Sequence, residues 1–243
     1  MAFSTLFSTA ETNSTNTVSR PISPEQHARN AYLTYQARFE INPSHPELAW
    51  QFSRAAFDWA EFASNNRQRE QIALQGIAAA RRGIVLETNS VPAHYYLGMN
   101  LGQLARTKSI GALKLVGEME REFKKVRVLD ETYDFAGPDR NLGLLYLEAP
   151  SSFSIGDRKK AREHLLKAVE LSPTYPENRL NLIEAYLKWN DSKSAQTAFN
   201  ELEQIWTAAR KEFAGEEWRT SWVDWEKRRS KALEKLRSMT PRR

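Results

Sequence analysis

The chain has no cysteine among its 243 residues. That absence excludes disulfides, thiolate metal sites and cysteine nucleophiles together. No apolar run approaches the roughly 18 residues that a membrane-crossing helix needs, so no membrane span is expected. Signature loops of catalysis are missing as well: there is no H-E-x-x-H, no Walker loop, no G-x-G-x-x-G and no G-x-S-x-G. The four histidines, His27, His45, His94 and His164, are scattered, and no two sit at metal-ligand spacing on one helix. The acidic pairs Asp130-Glu131 and Glu216-Glu217 fall at expected helix ends, where carboxylates are favoured on structural grounds. The chain therefore reads as non-enzymatic, with no cofactor and no metal. Its first residues carry neither a basic n-region nor an apolar h-region, so it reads as cytoplasmic as written, or periplasmic if a signal has been removed.

Glycine and proline are scarce, ten of each. They punctuate the chain at Pro43, Pro46, Pro92, Gly137, Pro138, Pro150, Pro173, Pro176 and Gly215. Between them apolar residues recur at helical spacing, as in Leu180, Ile183 and Leu187. No stretch alternates as a strand does, and no Asn-Gly hairpin signal occurs. About ten helices are expected, over 24–41, 46–64, 67–87, 91–105, 111–130, 138–148, 157–172, 176–190, 192–210 and 216–237. Residues 1–23, dominated by Ser, Thr and Asn, are too polar to offset their ordering entropy and read as a disordered lead-in.

The helices come in similar pairs. Ala168-Val-Glu-Leu-Ser-Pro173 through Leu182 parallels Gly83-Ile-Val-Leu-Glu-Thr88 through Leu97 at an offset of 85 residues, which is 2.5 times the 34-residue tetratricopeptide period. Leu142-Gly-Leu-Leu-Tyr146 matches the L-G-x2-Y core of that repeat's first helix, and Leu97-Gly98 matches part of it. Ala195-x3-Phe199 matches the A-x3-F core of its second helix, with Ala161-x3-Leu165 and Ala31-x3-Tyr35 as variants. The chain thus resembles the tetratricopeptide-repeat (TPR) superfamily. The resemblance implies an all-α, right-handed superhelix of antiparallel helices, stacked because each pair's apolar side is covered only by its neighbour. Two insertions, Arg106–Gly111 and Ala149–Gly156, both end in Ser-Ile-Gly (Ser109-Ile110-Gly111 and Ser154-Ile155-Gly156). With Ala93-His-Tyr-Tyr-Leu-Gly-Met-Asn-Leu-Gly102 and Ala136-Gly-Pro-Asp-Arg-Asn-Leu-Gly143, they narrow the resemblance to the T-components of TRAP transporters and their relatives. Those relatives imply no catalysis, and a groove or pore for an apolar ligand or a partner protein.

In such a fold the first helix of each pair lines the concave face. Helical spacing then places Tyr95, Met99, Arg140, Leu144, Leu180 and Glu184 toward the groove, with Asn141 and Asn181 at matching places in consecutive pairs. Asparagines there hold a terminal carboxylate in some TPR proteins. The lysine such a clamp requires is absent, which leaves a mixed groove with one basic residue, Arg140. The tryptophans Trp218, Trp222 and Trp225 share one face of the last helix and read as a cap on the final apolar surface. The net charge of +5 and pI near 9.4 invite a nucleic-acid reading. However, residues 226–243 hold eight cations against two anions, and the remainder is nearly neutral. The charge reads as a solvated tail, which argues against nucleic acid.

The expected organisation is a lead-in over 1–23, a helical repeat domain over 24–215, and a Trp-rich capping helix with a basic tail over 216–243. The expected function is a scaffold that holds a protein or peptide partner in the groove formed by Tyr95, Met99, Arg140, Asn141, Leu144, Asn181 and Glu184. The alternative is a carrier of a small apolar ligand or solute, an accessory component of a TRAP-type transporter.

Overall fold

The computed structural model describes residues 22–108, 111–152 and 154–239. These form ten α-helices and one short 3₁₀ helix, with no strand among the described residues. The order is α1 (Pro24–Ile41), α2 (Pro46–Ala60), α3 (Asn66–Leu86), α4 (Val91–Ala105), α5 (Ala112–Leu129), α6 (Tyr133–Glu148), α7 (Arg158–Leu171), α8 (Pro176–Lys188), α9 (Ser192–Glu212), the 3₁₀ turn Glu216–Trp218, and α10 (Arg219–Met239). Most of the disordered lead-in read over 1–23, the residues Ser109 and Ile110, and the chain end beyond Met239 lie outside the described residues. No described helix is long and apolar enough to cross a membrane.

Local chemistry sets the helix starts. Proline occupies the first turn of α1, α2, α4 and α8, where its missing N–H costs no hydrogen bond. Ser23 and Gln26 close a capping box on α1. The side chains of Asn65, Asp157 and Asp191 accept from first-turn amides of α3, α7 and α9. The helices pack as α2/α3, α4/α5, α6/α7 and α8/α9, with α1 against α2 at one end and α10 against α8 and α9 at the other. This is the expected TPR-type α-solenoid.

Two glycines allow the central pairs to close. A Cβ on Gly98 would stand 2.7 Å from the Phe123 ring of α5, and one on Gly143 would stand 2.7 Å from Leu165 of α7. The large residue of each second helix thus sits directly on the backbone of the first. At the far end Trp222 and Trp225 are buried in the cluster formed with Tyr175, Phe199, Leu202 and Phe213, so the tryptophan face does cover the last pair.

Three expectations change. The 85-residue offset relates α3–α4 to α7–α8, two pairs apart. The repeat units are therefore 45 residues (Gly98 to Gly143) and 40 residues (Asn141 to Asn181), lengthened by the insertions, and the 2.5-fold multiple of 34 is incidental. The last helix does not run from 216. Gly215, at φ 114°, ends the preceding loop, and a 3₁₀ turn precedes α10. Finally, α6 was expected from 138 but starts at 133 with a left-handed turn: Asp134, Phe135 and Ala136 have φ of 51°, 55° and 61°. Right-handed helix begins only at Gly137-Pro138.

Candidate binding groove

Four concave-face positions recur at the repeat spacing. Arg54, Met99 and Leu144 follow one another at 45-residue spacing, and Glu184 follows Leu144 by the same 40 residues that separate Asn141 from Asn181. The α2, α4 and α6 members, Arg54, Met99 and Leu144, share a cavity of about 310 Å³ with Phe57, Asp58, Tyr95, Tyr96, Asp134, Arg140, Asn141 and Glu177. Phe57, Met99 and Leu144 are partly buried apolar walls, and Tyr96 is stacked on Trp50 with ring centroids 6.5 Å apart.

Of the seven groove residues expected from the sequence, the structure brings five together: Tyr95, Met99, Arg140, Asn141 and Leu144. Two of these are not displayed to the groove as expected. Tyr95 is 1% and Arg140 7% exposed, and both form its floor. The Tyr95 hydroxyl donates to Asp134 Oδ2 at 2.5 Å and accepts from Asn141 Nδ2 at 2.9 Å and Arg140 Nη2 at 3.3 Å. Arg140 Nη2 pairs with Asp134 Oδ2 at 2.5 Å, and its Nη1 donates to the carbonyl oxygens of Asp134 and Phe135 at 3.0 and 3.2 Å. Burial pushes the Tyr95 phenol well above its ordinary pKa, so it remains a neutral donor. Burial alone would lower the Arg140 pKa, but the neighbouring Tyr95 and Asp134 outweigh it and raise it. The arginine is thus a permanent cation committed to the chain's own backbone.

Asn181 and Glu184 lie outside this cavity because α10 occupies them. Arg228 donates to Asn181 Oδ1 at 2.5 Å, to both Glu184 oxygens at 2.8 and 2.9 Å, and to Glu177 Oε1 at 2.6 Å. Glu177 Oε2 accepts from Trp225 Nε1 at 2.8 Å. Burial would raise the Glu177 carboxyl, but Arg228 and Arg140 together hold it below its ordinary range. Leu180, also expected in the groove, is fully buried in the core beneath. The basic segment is correspondingly less solvated than its sequence suggested: Arg228 is held by these acids and Arg229 by Glu203.

The accessible charges that face the open cavity, unlike Asn141, are ones the sequence reading missed. Among the described residues Arg54 is the accessible cation of the cavity, with its side chain 58% exposed and one weak ion pair there, to Asp58 at 3.8 Å. Asp58 is 47% exposed, yet desolvation by the groove walls and the nearby Asp134 push its pKa up to about 6 against the pull of Arg54. The signal for Arg54 was its helical position, which a 34-residue unit does not align with Met99 and a 45-residue unit does. Of the two Ser-Ile-Gly insertions only the second is fully described at that motif. There Ile155 packs against the α4–α7 core and the Asp157 amide donates to the Tyr146 carbonyl, so the motif closes a turn.

Comparison with known proteins supports the repeat fold and leaves the partner open. The family model described as "Regulator of microtubule dynamics protein 1-3" matches residues 21–119, from the start of α1 into α5. No curated protein matches significantly. The chain is similar to the crystal structure of a thermophilic TPR protein of Thermus thermophilus, at 17% identity and a TM-score of 0.61, over 85% of this chain and 90% of that one. It is also similar to the crystal structure of MamA, at 17% identity and a TM-score of 0.53, over 79% of this chain and 99% of that one. None of these descriptions names a transporter component, so the narrower resemblance to TRAP T-components finds no support.

Proposed function

We propose that the protein is a non-catalytic scaffold that holds a segment of a partner protein in the concave groove across α2, α4 and α6. The observation that carries this reading is the accessible cavity itself. Apolar walls from Phe57, Met99 and Leu144 stand beside two accessible charges, Arg54 and Asp58, one turn apart on α2. Apolar anchors next to charges that fix register are what an extended or helical segment requires. Of the expected contacts, Met99, Leu144 and Asn141 touch the partner in this reading. Tyr95 and Arg140 support the floor, and Asn181 and Glu184 belong to the cap.

The matched family's description makes microtubules the first partner to test. Co-sedimentation with taxol-stabilised microtubules is expected for the full chain, and Met99→Asp and Leu144→Asp should each reduce it while the exposed control Lys193→Glu does not. If those groove variants sediment like the parent, the groove is not the microtubule contact. The same variants then apply to peptide-library binding, and loss of every bound sequence is the expected result. The small-ligand alternative predicts a reproducible excess mass of a few hundred daltons in native mass spectrometry, removed by Leu144→Asp. Such a mass would replace the scaffold reading.

A further inference from the structure

Three consecutive non-glycine residues in the left-handed region are costly, because each Cβ crowds its own backbone carbonyl. The turn Asp134–Phe135–Ala136 must therefore be held by its surroundings. Part of the hold is local. Asn178 of α8, fully buried, donates to the Phe135 carbonyl at 2.9 Å and accepts from Arg140 Nη1 at 3.2 Å, and Arg140 reaches both turn carbonyls.

The rest comes from the other end of the chain. The Phe135 ring stacks on Tyr175 with centroids 4.5 Å apart and meets Phe213 and Trp218 edge-on at 5.4 and 5.7 Å. Trp218 lies in the 3₁₀ turn that leads into α10 and is itself only 4.9 Å from Phe213. A second route runs through charge. Glu177 and Asp134 are both anions in the field of Arg140, and Arg228 together with Trp225 engages both oxygens of Glu177. While α10 is docked, Glu177 is spoken for and Arg140 stays on Asp134 and the turn.

We propose that Trp218 and Arg228 are positioning residues for the groove: docked, they hold the 134–136 turn left-handed and keep the Asp134 carboxylate at the groove wall. Neither lines the cavity. When the cap is loosened, Glu177 becomes a competing partner for Arg140, Phe135 loses its edge contact with Trp218, and the turn relaxes toward the right-handed geometry of the helix that follows. The cap thereby sets the shape of a surface it does not touch. This goes beyond the scaffold reading and does not depend on what the groove binds.

Hydrogen exchange of the full chain without any partner, read by mass spectrometry, tests it. Arg228→Met and Trp218→Leu should each speed exchange in the peptide spanning 133–137 about tenfold, while α2 and α3 exchange as in the parent. Arg228→Lys keeps a cation beside Glu177 and should restore part of the protection. Asn178→Ala removes the local staple and should speed the same peptide on its own. If 133–137 responds to Asn178→Ala but not to the two cap variants, the proposal fails. It fails equally if none of the three changes it, or if the cap variants speed exchange evenly along all helices. The parent chain lacks cysteine, so a single Met99→Cys substitution adds an independent probe. Maleimide labelling at that site should change rate when Arg228→Met is introduced, and an unchanged rate would confine the effect to the turn and overturn the claim about the groove. Microtubule or peptide binding enters none of these measurements, so a failed scaffold reading leaves them interpretable.

Discussion

The open and closed ends of the concave face use one ladder of positions for opposite purposes. At α2 the ladder presents Arg54, mostly exposed with one weak ion pair at 3.8 Å, and at α8 it presents Glu184, whose two carboxylate oxygens are both taken by the Arg228 guanidinium. Equivalent backbone places therefore do not make equivalent surfaces. A position is available to a partner only where the next first helix leaves it uncovered. Over α8 that next helix is α10, and its arginine supplies a counter-ion from within the chain. Over α2, α4 and α6 the face remains open, with aromatic and thioether walls.

The largest expected difference between the two ends is in stability. Trp225→Ala at the closed end should cost about 3–5 kcal/mol, since a buried indole in a dense aromatic cluster leaves a cavity. Trp50→Ala at the open end, where the ring is only partly buried, should cost about 1–2 kcal/mol. Urea unfolding of both variants decides this, and equal losses would mean that the two ends are equally structural. A smaller effect is expected beneath the groove. Tyr95→Phe removes a hydroxyl that serves Asp134, Arg140 and Asn141 at once; Asp134 and Arg140 remain paired with each other, so about 1 kcal/mol should be lost. A cost below a few tenths of that would show that water replaces the hydroxyl and that the floor is not sealed.

An effect of similar size belongs to the open end and depends on pH. Folding raises the Asp58 pKa from 3.8 to about 6, so the folded chain holds that proton more tightly. Its contribution is complete below about pH 4 and is lost as pH rises through 6. Asp58→Asn should therefore stabilise the protein at pH 8 and leave it unchanged near pH 4. A fully dry site would give about 3 kcal/mol for such a shift, but the side chain is 47% exposed, and screening reduces the expectation to about 1 kcal/mol. Chemical denaturation at the two pH values checks it, and a gain of equal size at both would detach it from ionisation.

Much of the fold was legible because punctuation and periodicity agree. Pro24, Pro46, Pro92 and Pro176 start helices, the Ala31, Ala161 and Ala195 patterns fall on second-type helices α1, α7 and α9, and Gly98 and Gly143 seat a neighbouring ring or leucine. Met99, Leu144 and Asn141 followed from the same spacing. The rest depended on contacts between distant residues. Nothing in Asp134-Phe-Ala136 announces positive φ, because no glycine or asparagine stands there. The occupancy of Asn181 and Glu184 is decided by Arg228, more than 40 residues downstream. Arg140 looked like a groove cation because its type and register fit, while its partners are backbone carbonyls that a sequence does not display. Arg54 and Asp58 escaped notice through the assumed 34-residue unit.

The Phe135 turn also has a consequence for the order in which the chain takes shape. Neighbouring pairs are short-range contacts and can form as synthesis proceeds from the amino end. The ring contact between Phe135 and Trp218 closes a span of 83 residues. A nascent chain that has already made α1 to α8 therefore carries the central turn without its final support, and only emergence of residues 213–228 supplies it. On the proposed coupling, the groove takes its final arrangement only once α10 has emerged, and a chain truncated before α10 would carry every wall residue yet lack that hold.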